Sequence, residues 1–540
     1  MPRSSLGGYR EFATRDALRA GLSVTDFTRT VAPPAPGVGG ASNFRKNRQT
    51  PAGRETSSSP GYHRKVRLFN LFMVLALATL PAFAQGLPEL GDVSSDVLSP
   101  QIERRVGEQA MREIERDPQY VDDPELAVYI NTLGQRLVSA NPDARQDFEF
   151  FFVRDNTVNA FAMPGGFVGV HTGLILAAQT ESEAAAVLAH EIAHVTQHHI
   201  ARMLGKQSQS SIPTLAAMLV AMLAARGRPD LAQAAMATAT ARNIQSQLDY
   251  SRDFEREADR VGFQILQQSG FDVHAMPSFF ERLQKSSRVY ENNAPAYLRT
   301  HPLTSERIAD MENRAQNALY KQTPDSLEFH LVRAKLRSDQ GTTRDAVALA
   351  EEQLREHRYA SEIGARHGFV SALLRAGDTA RAESELAKLR KITEPHPMVE
   401  LLAARIKSAR NDGAGARDGL RAALARFPNY RPLQYAYVEA MQTLGAHADA
   451  IASLADMVKN FPRDARLYGL QAKSFAALGR GLALHQALAE QYYLRGAILA
   501  AIDQLQIAQR SGDGDFYQLS SVEARLRELR RQQAEEAKRK

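Results

Sequence analysis

The stretch that decides the fold runs Glu181-Ser-Glu-Ala-Ala-Ala-Val-Leu-Ala-His190-Glu191-Ile-Ala-His194-Val195. Its apolar residues, Ala184, Ala185, Val187, Leu188, Ala189, Ile192, Ala193 and Val195, are dense enough to make a helix apolar nearly all round, hence buried. On a helix, His190 and His194 lie one above the other on one face. A buried polar side chain needs a partner, because leaving it unpaired costs about 1–3 kcal/mol. A metal ion is the natural partner for two imidazoles at this spacing, and Glu191 can reach a water on that metal. The pattern predicts a zinc-binding helix; a solvated face carrying two histidines by chance explains the apolar flanks poorly.

A catalytic zinc site takes a third protein ligand and leaves the fourth position open to water. The extended form H-E-x-x-H-x-x-G-x-x-H needs Gly at 197 and His at 200, but the chain has Gln197 and Ile200. His198 lies a turn farther along, too far to join the same ion, and is expected in an outer or surface role. A second helical pattern follows in Ser251-Arg-Asp-Phe-Glu255-Arg-Glu257-Ala-Asp259-Arg-Val-Gly262. Glu255 and Asp259 share a face there, while Glu257 points elsewhere. One of the two carboxylates could complete a His, His, carboxylate set, and the other could accept the free ring N–H of a ligating histidine. Taken alone, the segment is an ordinary charged amphipathic helix.

These two motifs, with His301-Pro302-Leu-Thr-Ser-Glu-Arg307-Ile308 and the upstream Asn159-Ala-Phe-Ala-Met-Pro-Gly165-Gly166-Phe-Val-Gly169-Val-His171, resemble the zinc metallopeptidases related to the CAAX prenyl endopeptidases and the heat-shock membrane protease HtpX. The likeness covers roughly residues 90–320. It implies His190, His194 and Glu255 as ligands of one zinc ion, Glu191 as the catalytic base, and Asp259 as the carboxylate that completes the catalytic set behind a ligand. In such a site zinc lowers the pKa of its bound water towards ~7 and polarises the scissile carbonyl. Glu191 takes the proton and returns it to the leaving amine. His301 is expected as a gate at the open position or a substrate contact. Arg307 is expected to stabilise an oxyanion or to pair with an acid. Either Thr304 or Ser305 caps the helix that carries Arg307. The later half of 159–175 reads as a strand, at an edge where an extended substrate could pair. Gly165, Gly166 and Gly169 would permit close backbone approach; a core strand with a glycine turn is the alternative.

Ahead of this domain, Arg64-Lys65-Val-Arg67 precedes a short apolar run ending in Ala82-Phe83-Ala84. That is the form of a secretory signal peptide, residues 64–84, with cleavage near Ala84. The run is too short for a span of ~20 apolar residues. Residues 1–63, rich in Gly, Pro, Ser, Thr and Arg, read as a disordered extension; either the true start lies farther on or a genuine tail precedes the leader. The chain contains no cysteine, hence no disulfide and no acylation site of a lipoprotein, which suits a bacterial periplasm. The net charge of +6 is inflated by the N-terminal region and gives no ground for a nucleic-acid partner. The apolar stretch within 212–241 is too short to span a membrane. It is expected as core packing, with a cleft lid or peripheral membrane contact as alternatives.

From about residue 326, Gly341, Gly377, Gly413, Gly445 and Gly479 recur at intervals of 36, 36, 32 and 34, and Phe427-Pro428 returns as Phe461-Pro462. A helix-turn-helix period near 34 reads as tetratricopeptide repeats, whose concave face takes up peptides or partner proteins. The sequence thus predicts an α+β zincin-like metallopeptidase domain, mostly helical with a small sheet, at 85–320. An all-α repeat solenoid follows at 326–515, and a charged, solvated helical tail at 516–540. The order of leader, peptidase and repeats resembles the periplasmic beta-barrel assembly-enhancing proteases. It implies a zinc metalloendopeptidase acting on unfolded or misassembled proteins, with outer-membrane assembly proteins reached through the repeats. The rival reading is a chaperone or assembly factor with latent or secondary proteolysis.

Overall fold

The computed structural model describes residues 98–204, 212, 214–217, 219, 241–289, 296–319, 321 and 323–538. The expected extension at 1–63, the leader at 64–84 and most of the 212–241 stretch lie outside them. The first two helices, α1 (Pro100–Ile114) and α2 (Pro124–Ser139), each open with proline behind a capping side chain, Ser99 and Asp123. Proline there gives up an N–H that has no helical partner in any case. Three short strands follow, β1 (Glu149–Val153), β2 (Ala160–Met163) and β3 (Phe167–His171), in the order β1-β3-β2. β3 runs parallel to β1 and antiparallel to β2.

This topology corrects the edge-strand expectation. The strand in the later half of 159–175 is central and hydrogen-bonded on both sides, and the edge beside it belongs to β2. The physical reason lies in Gly165 and Gly166, whose φ values of +78° and +89° fold β2 back onto β3. A Cβ on Gly166 would stand 2.0 Å from the Asp147 carbonyl oxygen, so this glycine accommodates the protein's own backbone.

After α3 (Thr172–Ala177) comes α4 (Glu181–Thr196), which carries the H-E-x-x-H motif. Every residue from Glu181 to Val195 is buried. α4 packs on the sheet, on α2, and on the later helices α6 (Ala241–Gln268) and α7 (Ala275–Val289); between them comes the short α5 (His199–Leu204). The domain closes with α8 (Ala296–Thr300) and α9 (Ser305–Gln316). Of the apolar stretch after α5, Leu215, Ala216 and Leu219 are buried against Val106, Met111, Phe151 and Phe161, which is core packing at the described positions.

From α10 (Leu327–Ser338) to α20 (Ile498–Gln509) the chain is a succession of helix hairpins. Gly341, Gly377, Gly445 and Gly479 each follow a helix with φ between +60° and +80°, the left-handed turn that ends it. At the third station Asn411 takes that conformation (φ +61°), and Gly413 opens the next helix instead. The last helix, α21 (Phe516–Lys538), corrects the expectation of a solvated tail. Its Val522, Leu526 and Leu529 are buried against Ile502 and Leu505, so an apolar stripe covers the end of the repeat stack.

Two polar joints tie the repeats to the peptidase helices. Lys335 on α10 donates to Asp123 at 2.6 Å and to Glu125 at 2.5 Å, and Arg405 also reaches Glu125 at 2.8 Å. Glu181 at the start of α4 accepts from the Ser326 backbone N–H at 3.0 Å, the Ser326 hydroxyl at 2.7 Å and the Tyr129 hydroxyl at 3.2 Å. Replacing Lys335 by Met strands a buried carboxylate with only Arg405 left to it. We expect a loss of about 3 kcal/mol, read as a lower urea midpoint, and a loss below about 0.5 kcal/mol would show the joint to be dispensable.

Candidate metal centre

The site begins with the close contact of α4 and α6. A Cβ on Gly262 would lie 3.0 Å from both the Cα and the backbone nitrogen of His190, so a larger residue there would push α6 back from α4 by a few tenths of an ångström. Earlier on α6, Glu255 and Asp259 are thereby carried against the two histidines. His301 arrives between α8 and α9, held before Pro302. Thr304 caps α9 by accepting from the Arg307 N–H at 3.2 Å, which sets Arg307 in the first turn and resolves the choice between Thr304 and Ser305.

The side chains converge on one point. Among the described residues, His190, His194, Glu255 and His301 are buried and each offers a donor atom, all within 4.8 Å of one another. Nε2 of His194 stands 3.0 Å from Nε2 of His190, and the latter 3.3 Å from Nδ1 of His301. Glu255 approaches His190 at 3.3 Å, His194 at 3.4 Å and His301 at 2.9 Å. Glu191 Oε1 is buried without a hydrogen-bond partner, and the nearest ring nitrogen, His301 Nε2, is 3.4 Å away. Three imidazoles and one carboxylate around one point, beside an unpartnered carboxylate oxygen, are a donor set that suits a divalent metal of borderline softness.

Behind the donors lies a second set of charges. Asp259 Oδ1 is 3.1 Å from Nδ1 of His190. Arg307 grips Asp259 with both edges of its fork, Nε at 2.6 Å and Nη2 at 2.8 Å, and reaches Glu255 at 3.0 Å and the Pro302 carbonyl at 2.7 Å. Burial disfavours every one of these charges, so the partners decide the outcome. Burial opposes a charged His190, but hydrogen bonds to Asp259 and Glu255 outweigh it and hold the ring up to about 9. Burial and the neighbouring rings drive His194 well below the ordinary histidine range, despite Glu255. Glu255, although buried, is held well below the carboxylate range, chiefly by His301 and His190. Asp259 is lowered against burial by Arg307 and His190.

Every residue that the sequence singled out at 190, 191, 194, 255, 259, 301 and 307 is in this cluster, with Arg307 on the acids. Two others were missed. Tyr297 is fully buried, its ring stacked on His301 at 4.7 Å between centroids, and its hydroxyl has no hydrogen-bond partner. Its place one helical turn before His301 was the available signal. His199 is buried with Nδ1 2.8 Å from Nδ1 of His194. No periodicity could place it, because His198 takes a left-handed φ of +53° and turns the chain out of α4. His198 itself pairs with Glu103 at 2.9 Å, away from the cluster. Glu257, expected to point elsewhere, does leave the Glu255 face, and it meets His199 at 3.1 Å.

The fold and this donor set define a metallopeptidase with a repeat domain. In agreement, residues 124–315 match peptidase family M48, and residues 408–474 match the tetratricopeptide repeat. The beta-barrel assembly-enhancing protease of Escherichia coli K12 is 32% identical over 463 residues, 84% of this chain and 93% of that one. A Vibrio cholerae protein provisionally given the same designation is 42% identical over 270 residues, 49% of this chain and 56% of that one. The mitochondrial metalloendopeptidase OMA1 of Schizosaccharomyces pombe is 29% identical over 236 residues, 43% of this chain and 64% of that one. The chain belongs to the family of the beta-barrel assembly-enhancing proteases.

The titrations give a prediction for the protein stripped of metal by a chelator. The folded pKa of His190, about 9, lies above its ordinary 6.5. Its contribution to stability is therefore full below 6.5 and is lost as pH rises through 9. The histidines with lowered pKa, His194 and His199, contribute no slope above their ordinary value. Glu255 and Asp259 act at the other end, losing their contribution only as pH falls below the ordinary carboxylate range. The thermal midpoint of the stripped protein should fall between about pH 7 and pH 9, and the fall should vanish in Asp259→Asn combined with Glu255→Gln. A flat wild-type profile over that window would contradict the assignment of His190.

Proposed function

We propose that this chain is an exported, zinc-dependent endopeptidase of the gluzincin type that uses Glu191 as its base. We propose further that it works in periplasmic quality control of outer-membrane protein assembly. The observation that carries the first part is the buried convergence of His190, His194 and Glu255 within donor reach of one another, next to a Glu191 oxygen that has no partner. When bound, zinc supplies Lewis acidity towards a water and a scissile carbonyl. The residues do the rest. His190, His194 and Glu255 hold the ion. Asp259, fixed by the Arg307 fork, accepts from the Nδ1–H of His190, which keeps the hydrogen on Nδ1 and Nε2 free to ligate. Glu191 accepts the proton of the attacking water and passes it to the leaving amine. Arg307 is engaged with two carboxylates, which favours pairing with acids over stabilising an oxyanion.

His301 stands among the donors, 2.9 Å from Glu255 and 3.4 Å from Glu191, on what would be a substrate carbonyl's way in. This favours a resting site closed by His301, which must swing away before peptide binds. The same contact lends weight to the second reading, an assembly factor whose proteolysis is latent until a client arrives. The periplasmic role rests on the name borne by the relatives, the expected leader at 64–84 and the repeats, which offer a surface for protein clients.

Hydrolysis of an unfolded reporter by the purified protein tests the chemistry. Glu191→Gln should abolish cutting, a loss on the order of a thousandfold or more, while about one zinc per chain is retained. Equal cutting by the variant would remove Glu191 from the mechanism. His301→Ala should keep its zinc and cut a short peptide several-fold faster. Slower cutting with zinc lost would make His301 a permanent ligand.

A further inference from the structure

His194 faces the donor cluster through Nε2, and on its other side Nδ1 meets Nδ1 of His199 at 2.8 Å. Nε2 of His199 lies 3.1 Å from Glu257 Oε2, and Arg202 Nη1 donates to the same oxygen at 3.2 Å. His199 is 2% exposed and lies flat on Phe254, with ring centroids 4.2 Å apart and planes at 11°. Arg202 covers the same ring of Phe254 at 4.6 Å. His190 has a carboxylate directly behind it, at 3.1 Å; His194 has an imidazole, and the carboxylate stands one residue farther out.

Proton counting fixes this chain of contacts once His194 Nε2 holds a metal. A ligating Nε2 is bare, so Nδ1 of His194 carries the hydrogen. Two ring nitrogens at 2.8 Å share one hydrogen, so Nδ1 of His199 must be bare and its Nε2 protonated. That N–H needs an acceptor, and Glu257, whose same oxygen Arg202 also grips, supplies it. The opposite tautomer of His199 would set two N–H groups against each other and push His194 off its ligating geometry.

We infer that His199 and Glu257 are positioning residues for the metal, a relay that fixes the tautomer and ring orientation of His194 from the outer side of α6. The inference rests on the reading of His194 as a ligand. Residues in this role typically change metal affinity by about 10–100-fold when removed.

The test is zinc affinity of the purified protein by competition with a chromogenic chelator, for wild type, His199→Phe, Glu257→Ala and the double variant, with melting of the zinc-free forms alongside. Phe is somewhat larger than His and keeps the stack on Phe254, and Glu257 is partly exposed, so neither change opens a cavity. We expect each single variant to bind zinc about 10–100-fold more weakly, with the zinc-free melting temperature unmoved. The double variant should be no weaker than His199→Phe, since the two act in series. If wild type binds zinc and both single variants match it within about threefold, the relay is overturned while the metallopeptidase reading stands. Additive losses accompanied by lower zinc-free melting would reduce both residues to packing and also overturn it. A wild type that binds no zinc would overturn both readings together.

Discussion

Burial of α4 on all sides is the constraint on which the rest depends. A helix made of alanine, valine, leucine and isoleucine goes to the centre of the domain because that is where its surface leaves water. It takes His190, Glu191 and His194 with it, each at most 8% exposed. Unpaired, each of these groups would cost about 1–3 kcal/mol or more. The surrounding elements can be read as answers to that cost. Gly262 lets α6 come close enough for Glu255 and Asp259 to act, α9 brings Arg307 to the acids, and the turn at His198 brings His199 to His194.

The charge arrangement explains why the cluster does not simply neutralise itself. Two buried carboxylates on one helix face would repel and take up protons if left alone. Arg307 sits between them and touches both; with His190 it keeps Asp259 ionised, while His301 and His190 do the same for Glu255. The carboxylates then differ by their second neighbours. Asp259 is gripped on both oxygens by the guanidinium and is fixed in place, whereas Glu255 faces three histidines and offers its oxygens to the point where the donors meet. Side chains four residues apart on one helix acquire distinct tasks from what packs against them.

The sequence carried the parts of this design that are periodic. Helical spacing was enough to put His190 with His194 and Glu255 with Asp259. The repeat spacing was legible because each hairpin needs a left-handed residue, and where glycine fell out of step Asn411 supplied it. What escaped depended on where the chain turns. The strand order β1-β3-β2 follows from a connection that carries the chain from β1 past the central position to β2, and then a tight turn at Gly165 and Gly166 back into β3; local alternation does not say which strand ends in the middle. His199 joins the cluster only because His198 leaves the helix. The stripe Val522, Leu526 and Leu529 was hidden among the arginines and glutamates of α21, and a stripe that narrow shows its purpose only when the last repeat lies beneath it.

The same helix also joins the two halves of the chain. Glu181 in its first turn bonds the residue that opens the repeats, and Glu183 is held by Arg282 of α7 at 2.5 Å. Acidic groups at a helix start also meet unpaired backbone N–H groups and the positive end of the dipole, so these contacts are favoured twice. Thirteen residues lie between Glu181 and Val195, with His190 and His194 near the far end. A helix pinned at its start by the repeats, flanked by α6 through a glycine and followed by a sharp turn has little freedom to shift, so its donors are held in register. On the proposed reading, change at the site comes from the short segment outside that frame. His301, between a five-residue helix and a proline, with its ring resting on Tyr297, belongs to that segment.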